Sequence, residues 1–116
     1  MEKTVNVGDR EVRFRASALT PRIYRERTGR DLFIDIANLE TAIKDAGQSA
    51  GTLPIEALTI FEDVAFTMAK QADSSVPDTA DDWLDTFGVF DIYVVLPQII
   101  ALWRGNTATT SKPKKK

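Results

Sequence analysis

Apolar and polar residues alternate over residues 3–15. Val5 and Val7 stand on one arm, Val12 and Phe14 on the other, with polar side chains between them. A period of two marks a strand with one buried face. Gly8-Asp9 joins the arms and suits a two-residue hairpin loop of type II′, with glycine first. That loop pairs Val7 with Arg10, Val5 with Val12 and Lys3 with Phe14. The four apolar side chains then share one face, and Arg13 and Arg15 take the other. A lone hairpin is marginal in water, so its apolar face has to pack on helices.

After residue 16 the period lengthens. Thr20-Pro21 reads as a helix start, with threonine as N-cap and proline in the first helical position. This helix carries Ile23 and Tyr24 and stops at Gly29. Arg22, Arg25, Arg27 and Arg30 crowd it, either as a solvated face or as a contact for an acidic partner. Asp31 caps a second helix running to about Ala46. Leu32, Ile36, Leu39 and Ile43 form its stripe, which Phe33 and Ala37 widen. The segment AGQSAGTLP breaks that pattern and reads as a loop. Pro54 opens the longest helix, to about Ala72. Leu58, Phe61, Ala65, Met68 and Ala72 make one stripe on it. Ile60 and Val64 make a second, with Ile55 beside them at the start. A helix with two apolar sides sits centrally, so Phe66 and Met68 belong to the core. Residues 73–78 form another loop. Thr79 then caps a short acidic helix, ADDWLDTF, with Asp81 and Asp82 at the positive end of its dipole.

Phe87 to Trp103 is the densest apolar run, and Asp91 is its only charge. The run is at the lower length limit for a bilayer span, and it contains an acid and a proline. It reads as a buried helical segment. Pro97 lacks a backbone donor and clashes one turn back. The expectation is a kinked helix, or a turn ending near Leu96 and a helix from Pro97. Leu102 and Trp103 are expected in the core, and Trp83 partly exposed. From residue 105 the chain is polar and ends in lysines, which predicts disorder. The predicted fold is mainly α (α+β): one domain over residues 1–104, with a small N-terminal β-hairpin packed on a bundle of about four to five helices. A disordered basic C-terminal tail follows over residues 105–116.

Composition narrows the chemistry. The chain of 116 residues suits one domain with a modest core. It has no cysteine and no histidine. That removes disulfides, thiolate chemistry, the usual general base and the commonest metal ligand. The N-terminal segment lacks the apolar core of a signal peptide, so a soluble intracellular protein is expected. No serine sits in a nucleophile elbow, and no glycine-rich phosphate loop appears. Glu62 and Asp63 are adjacent on a helix and diverge. The acidic stretch from Asp73 lacks the glycine an EF-hand loop needs at its sixth position. A non-enzymatic binding protein is expected, with no cofactor and no metal.

Charge is unevenly spread. Residues 1–30 carry +4, residues 31–103 carry −11, and residues 104–116 carry +5. An acidic body disfavours broad contact with nucleic acid, whose phosphates need a basic surface. The candidate partner-binding face is apolar with an acidic rim. Trp83, Phe87 and Phe90 would be its anchors, since large aromatics lead among interface hot spots. Asp81, Asp82, Asp85 and Asp91 would steer a basic helical partner. The competing reading makes these aromatics ordinary core.

The hairpin VNVGDREVRFR leads into TPRIYRERTGRDL, then an acidic helical middle and an apolar C-terminal helix ending in tryptophan. This order resembles the tail assembly chaperones of long-tailed, siphovirus-type bacteriophages. The resemblance spans residues 4–104 and is most specific from Leu19 to Leu32. It implies a mainly helical domain with a small β element. It also implies a role in coating the tape-measure protein before major tail tube subunits polymerise around it. The chaperone is then expected in the host bacterial cytoplasm and absent from the mature virion. No nucleic-acid or membrane partner is implied, and a monomer or a weakly self-associating domain is expected. Many family members are also made in a longer form by ribosomal frameshift. The closing KPKKK could encode the run of adenines such slippage uses, or simply solubilise the end. Two other classes stay open: a structural virion protein of the tail or head–tail connector, and a small DNA-binding regulator using the Arg22–Arg30 segment.

Overall fold

The computed structural model describes the backbone of residues 1–45 and 53–111, and the side chains of residues 1–45 and 53–103. Two strands, β1 (Glu2–Val7) and β2 (Arg10–Arg15), form an antiparallel hairpin. Val7 pairs with Arg10, Val5 with Val12 and Lys3 with Phe14, the register that a two-residue loop dictates. Gly8 takes φ +64°, the left-handed value that a primed turn requires at its first central position. Val5, Val7, Val12 and Phe14 are all buried, while their strand neighbours are exposed. Beyond the last pair, the Met1 amino group donates to the Ala16 carbonyl at 2.9 Å, and the Ala16 N–H to the Met1 carbonyl at 2.8 Å.

The described helices are α1 (Thr20–Thr28), α2 (Leu32–Asp45), α3 (Ile55–Ala72), α4 (Ala80–Leu84) and α5 (Leu96–Ser111), with a 3₁₀ helix over Asp91–Val95 before α5. α3 is the hub. It touches β2, α1, α2 and α4. Ile60 and Val64 are buried on it together with Phe61, Ala65, Phe66 and Met68, so both stripes are covered. Burying apolar side chains of this size contributes roughly 1.5–3 kcal/mol each, which makes α3 the main source of core stability. Trp103 of α5 is buried and donates its indole N–H to the Met68 sulfur at 3.1 Å.

Helix punctuation follows the expected residues with one exception. Gly29 ends α1 in the left-handed region, at φ 76°, and its N–H reaches the Arg25 carbonyl at 2.8 Å. Asp31 accepts from the Ile34 N–H at 3.0 Å, and Thr79 from the Asp82 N–H at 3.1 Å. Thr20 is the exception. Its hydroxyl is fully buried and points inward, accepting from the Ser17 N–H at 2.9 Å and donating to Gln71. It ties α1 to α3 rather than capping α1.

Other expectations need correction. Phe33 is 57% exposed and Ala37 is exposed, because α2 packs chiefly on α1 and α3 and only the edge-on contact of Phe33 with Trp103 of α5, at 6.0 Å between centroids, reaches its outer flank. Ile55 is exposed at the first position of α3. The acidic helix ends at Leu84, three residues before Phe87. Of the two arrangements expected around Pro97, the second is found: the 3₁₀ helix ends at Val95 and α5 begins at Leu96. α5 then runs through Gly105 to Ser111, past the tail boundary expected at residue 104. A single glycine inside a helix costs only about 1 kcal/mol and does not by itself end one. Residues 46–52 of the expected loop and the closing lysines lie outside the described residues.

Candidate functional site

The candidate residues come from α4, the turn after it and the 3₁₀ helix. α4 has five residues, too few to be stable alone, so it depends on an anchor. Trp83 is that anchor. It is 0% exposed and lies among three rings: Phe87 at 5.0 Å, Phe66 at 5.8 Å and Phe14 at 6.5 Å between centroids. The expectation of a partly exposed Trp83 is therefore overturned. A helix between two loops has nothing else large enough to hold it down. The Trp83 indole N–H has no hydrogen-bond acceptor among the described residues.

Phe87 is half-buried. Its ring stands edge-on to Trp83, and the Arg10 guanidinium lies over it at 4.3 Å from the centroid. Arg10 also donates through Nη1 to the Thr86 carbonyl at 3.2 Å and to the Thr86 hydroxyl at 3.0 Å. Phe90 is 77% exposed. Two further side chains extend the apolar surface along the chain, Val89 at 80% and Val94 at 51% exposed. Sequence reasoning placed both in a buried run. Their only signal was Gly88 just before them, which interrupts the helical period.

All four candidate acids, Asp81, Asp82, Asp85 and Asp91, are exposed. Asp91 is set differently from the rest. Its carboxylate packs on two glycines, such that a Cβ at Gly8 would stand 3.0 Å from Oδ2 and one at Gly88 2.8 Å away. Thus Asp91 links the hairpin turn to the segment after α4. Val89, Phe90 and Val94 are therefore the exposed apolar side chains of this stretch, with Asp85 before them and Asp91 between Phe90 and Val94. Trp83 belongs to the core, and Phe87 joins it there through its edge-on ring contact.

A second cluster was not anticipated. Arg30, just past the left-handed Gly29, donates from Nε to Asp35 Oδ2 at 2.8 Å and from Nη2 to Asp63 Oδ2 at 2.7 Å. Nη2 also reaches the Tyr24 hydroxyl at 3.0 Å, and that hydroxyl donates to Asp35. Asp35 and Asp63 push the guanidinium pKa further up, so its charge is fixed. Burial, then the hydrogen bond to Asp35, pushes the Tyr24 hydroxyl up. Every group is engaged, and none is set up as a base or nucleophile. This cluster holds α1, α2 and α3 together.

The other arginines of α1 divide their roles. Arg22 pairs with Glu26 at 3.4 Å, and Arg27 lies over the Phe66 ring at 4.6 Å. Arg27, Asp63, Phe66 and Thr79 help line a cleft of about 240 Å³. That is below the usual range for small-molecule sites, roughly 300–1,000 Å³. Among the described residues no group of three or more acids is placed to hold a metal ion, and no helix is long and apolar enough to cross a membrane. Compared with family models, curated proteins and solved structures, the chain matches none of them.

Proposed function

We propose that this protein is a tail assembly chaperone of a siphovirus-type bacteriophage, which covers apolar stripes on the tape-measure protein before the tail tube closes around it. The observation that carries the reading is the exposure of Val89, Phe90 and Val94 over a short stretch of chain, with Asp85 before it and Asp91 within it. A reversible cover for a long helix needs apolar anchors that stay soluble when unoccupied. Acidic neighbours serve that end and favour a partner helix with basic flanks. The order of hairpin, α1 and acidic helical middle supports the same reading through the resemblance to that family. In it, the bound chaperone presents the tape-measure protein to major tail tube subunits in the host cytoplasm and leaves before the virion is complete. The closing lysines would mark the frameshift that yields a longer form. The nucleotides of codons 112–116 test that point: a slippery heptamer with an open overlapping frame supports it, and their absence removes it.

The main test is capture of a tape-measure fragment by the immobilised chain. Phe90→Ser together with Val94→Ser should weaken capture about 30-fold, the loss of a 2 kcal/mol hot spot. Circular dichroism should show intact folding, since both side chains are exposed. Undiminished capture by the folded variant would remove this surface from the interaction.

A further inference from the structure

The segment 85–90 between α4 and the 3₁₀ helix meets the hairpin through the Arg10 side chain and, at Gly88, through the Asp91 carboxylate that also packs on Gly8. Its backbone hydrogen bonds are local: the Thr86 N–H to the Trp83 carbonyl, the Phe87 N–H to the Leu84 carbonyl, and the Asp91 N–H to the Gly88 carbonyl. Among the described residues, the polar contacts that reach it from elsewhere are the two hydrogen bonds from Arg10 to Thr86. Arg10 also supplies the cation over Phe87. Phe87 in turn stands edge-on to Trp83, whose buried N–H has no acceptor. A buried donor without a partner disfavours the state that buries it. The segment also carries Val89 and Phe90 into water. Among the described residues, its hydrogen-bonded tie to the rest of the fold is thus Arg10, and its Phe87 ring stands against the tryptophan whose N–H is unsatisfied.

We infer that Arg10 is an autoinhibitory latch: it holds residues 85–90 closed over Trp83, and a basic side chain of a docking helix displaces it from Phe87. Cations over an aromatic face compete for the same electron-rich surface, so an incoming arginine or lysine can take the place Arg10 vacates. Opening the segment swings Phe87 away and frees the Trp83 N–H for an acceptor on the partner. The acids Asp81, Asp82 and Asp85 on α4 and just after it favour the approach of such a cation. The partner's identity in this inference rests on the proposed chaperone reading. The latch itself is a property of the free chain.

Hydrogen exchange of the two indole N–H groups in the free, full-length protein tests the latch. Exchange of a buried N–H reports the open population even when it is rare, and Trp103 serves as an internal reference. Arg10→Ala should speed exchange at Trp83 about tenfold, equivalent to about 1.4 kcal/mol, and leave Trp103 unchanged. Arg10→Gln keeps a donor for Thr86 but loses the cation, and should give a smaller acceleration at Trp83 alone. Unchanged exchange at Trp83 would overturn the latch. Equal acceleration at both indoles would overturn it too, since Arg10 would then act on global stability. A latch confirmed beside failed capture of the tape-measure fragment sinks the chaperone reading and spares the latch. The reverse result sinks the latch alone.

Discussion

The Trp83 ring meets Phe14 nearly edge-on, with centroids 6.5 Å apart and planes at 83°. One residue belongs to the N-terminal hairpin and the other to the short acidic helix, 69 positions later in the chain. This contact makes α4 part of the hairpin's core. Trp83→Ala should therefore cost about 3–5 kcal/mol, the range for emptying a buried aromatic site. Trp103→Ala should cost about as much by the same measure, since Trp103 is also buried. Urea unfolding of both variants checks the pair, and a loss under 1 kcal/mol at Trp83 would contradict its burial.

Removing the Arg30 side chain leaves Asp35 with only Tyr24 as a partner and leaves Asp63 without its guanidinium. Breaking a buried pair from one side costs roughly 3–5 kcal/mol, and the partial exposure of Arg30 places Arg30→Met near the lower end. Tyr24→Phe removes one hydroxyl from the same network, while Arg30 still satisfies Asp35. That variant should lose only about 1–2 kcal/mol. Chemical denaturation that ranks Tyr24→Phe as the worse of the two would show that the ion pairs are not what holds α1 to α3.

Gly8 and Gly88 both face Asp91 but differ in backbone. At Gly8 a side chain meets the carboxylate and must also adopt φ +64°. Gly8→Ala should cost about 1–3 kcal/mol, the range for left-handed strain. At Gly88 the obstacle is only the far end of the Asp91 side chain, which can rotate away. Gly88→Ala should be milder, and its cost should vanish in an Asp91→Ala background. Thermal melts of the four variants form the check, and a Gly88→Ala cost that persists without Asp91 would place the constraint in the backbone.

Burial, then the neighbouring Asp63 and Asp81, raises the Glu62 pKa above its ordinary value. The folded state thus binds the Glu62 proton more tightly than the unfolded chain does. Between the ordinary carboxylate value and the raised one, this group's contribution falls as pH rises. Its ionised form disfavours the fold at neutral pH. Glu62→Gln should raise the melting temperature at pH 7, and its advantage should shrink as pH falls through the ordinary carboxylate range. A Glu62→Gln gain that grows on acidification would reverse the sign and refute the assignment.

The hairpin was fully legible in the sequence because two local rules coincide there. Period-two alternation names the buried face, and a two-residue loop admits one register. α3 was legible for a similar reason, since eighteen residues give two stripes room to repeat. Trp83 was not. Five residues of α4 hold barely one turn, so periodicity cannot tell an inward tryptophan from an outward one. The Arg30 cluster was hidden because its partners lie 5 and 33 positions away, and the turn at Gly29 sets where Arg30 points. Phe33 misled because a stripe on a helix shows which side is apolar, not how far its neighbours reach. Val89 and Val94 misled because a dense apolar run reads as core, while Gly88 breaks its helical course before them.

Packing β2 and α1 against α3 also sets a schedule for synthesis. The apolar face of the hairpin is complete once residue 15 has been made, yet the helix that covers it ends at Ala72. At roughly 5–20 residues per second, a nascent chain carries Val5, Val7, Val12 and Phe14 uncovered for roughly 3–11 seconds. Over that interval the first strands are open to other nascent chains and to cellular holdases. Slowing the ribosome before codon 72 should therefore lower soluble yield more than the same pause placed after codon 95, when Trp83 and the 3₁₀ helix that also cover the hairpin have been made.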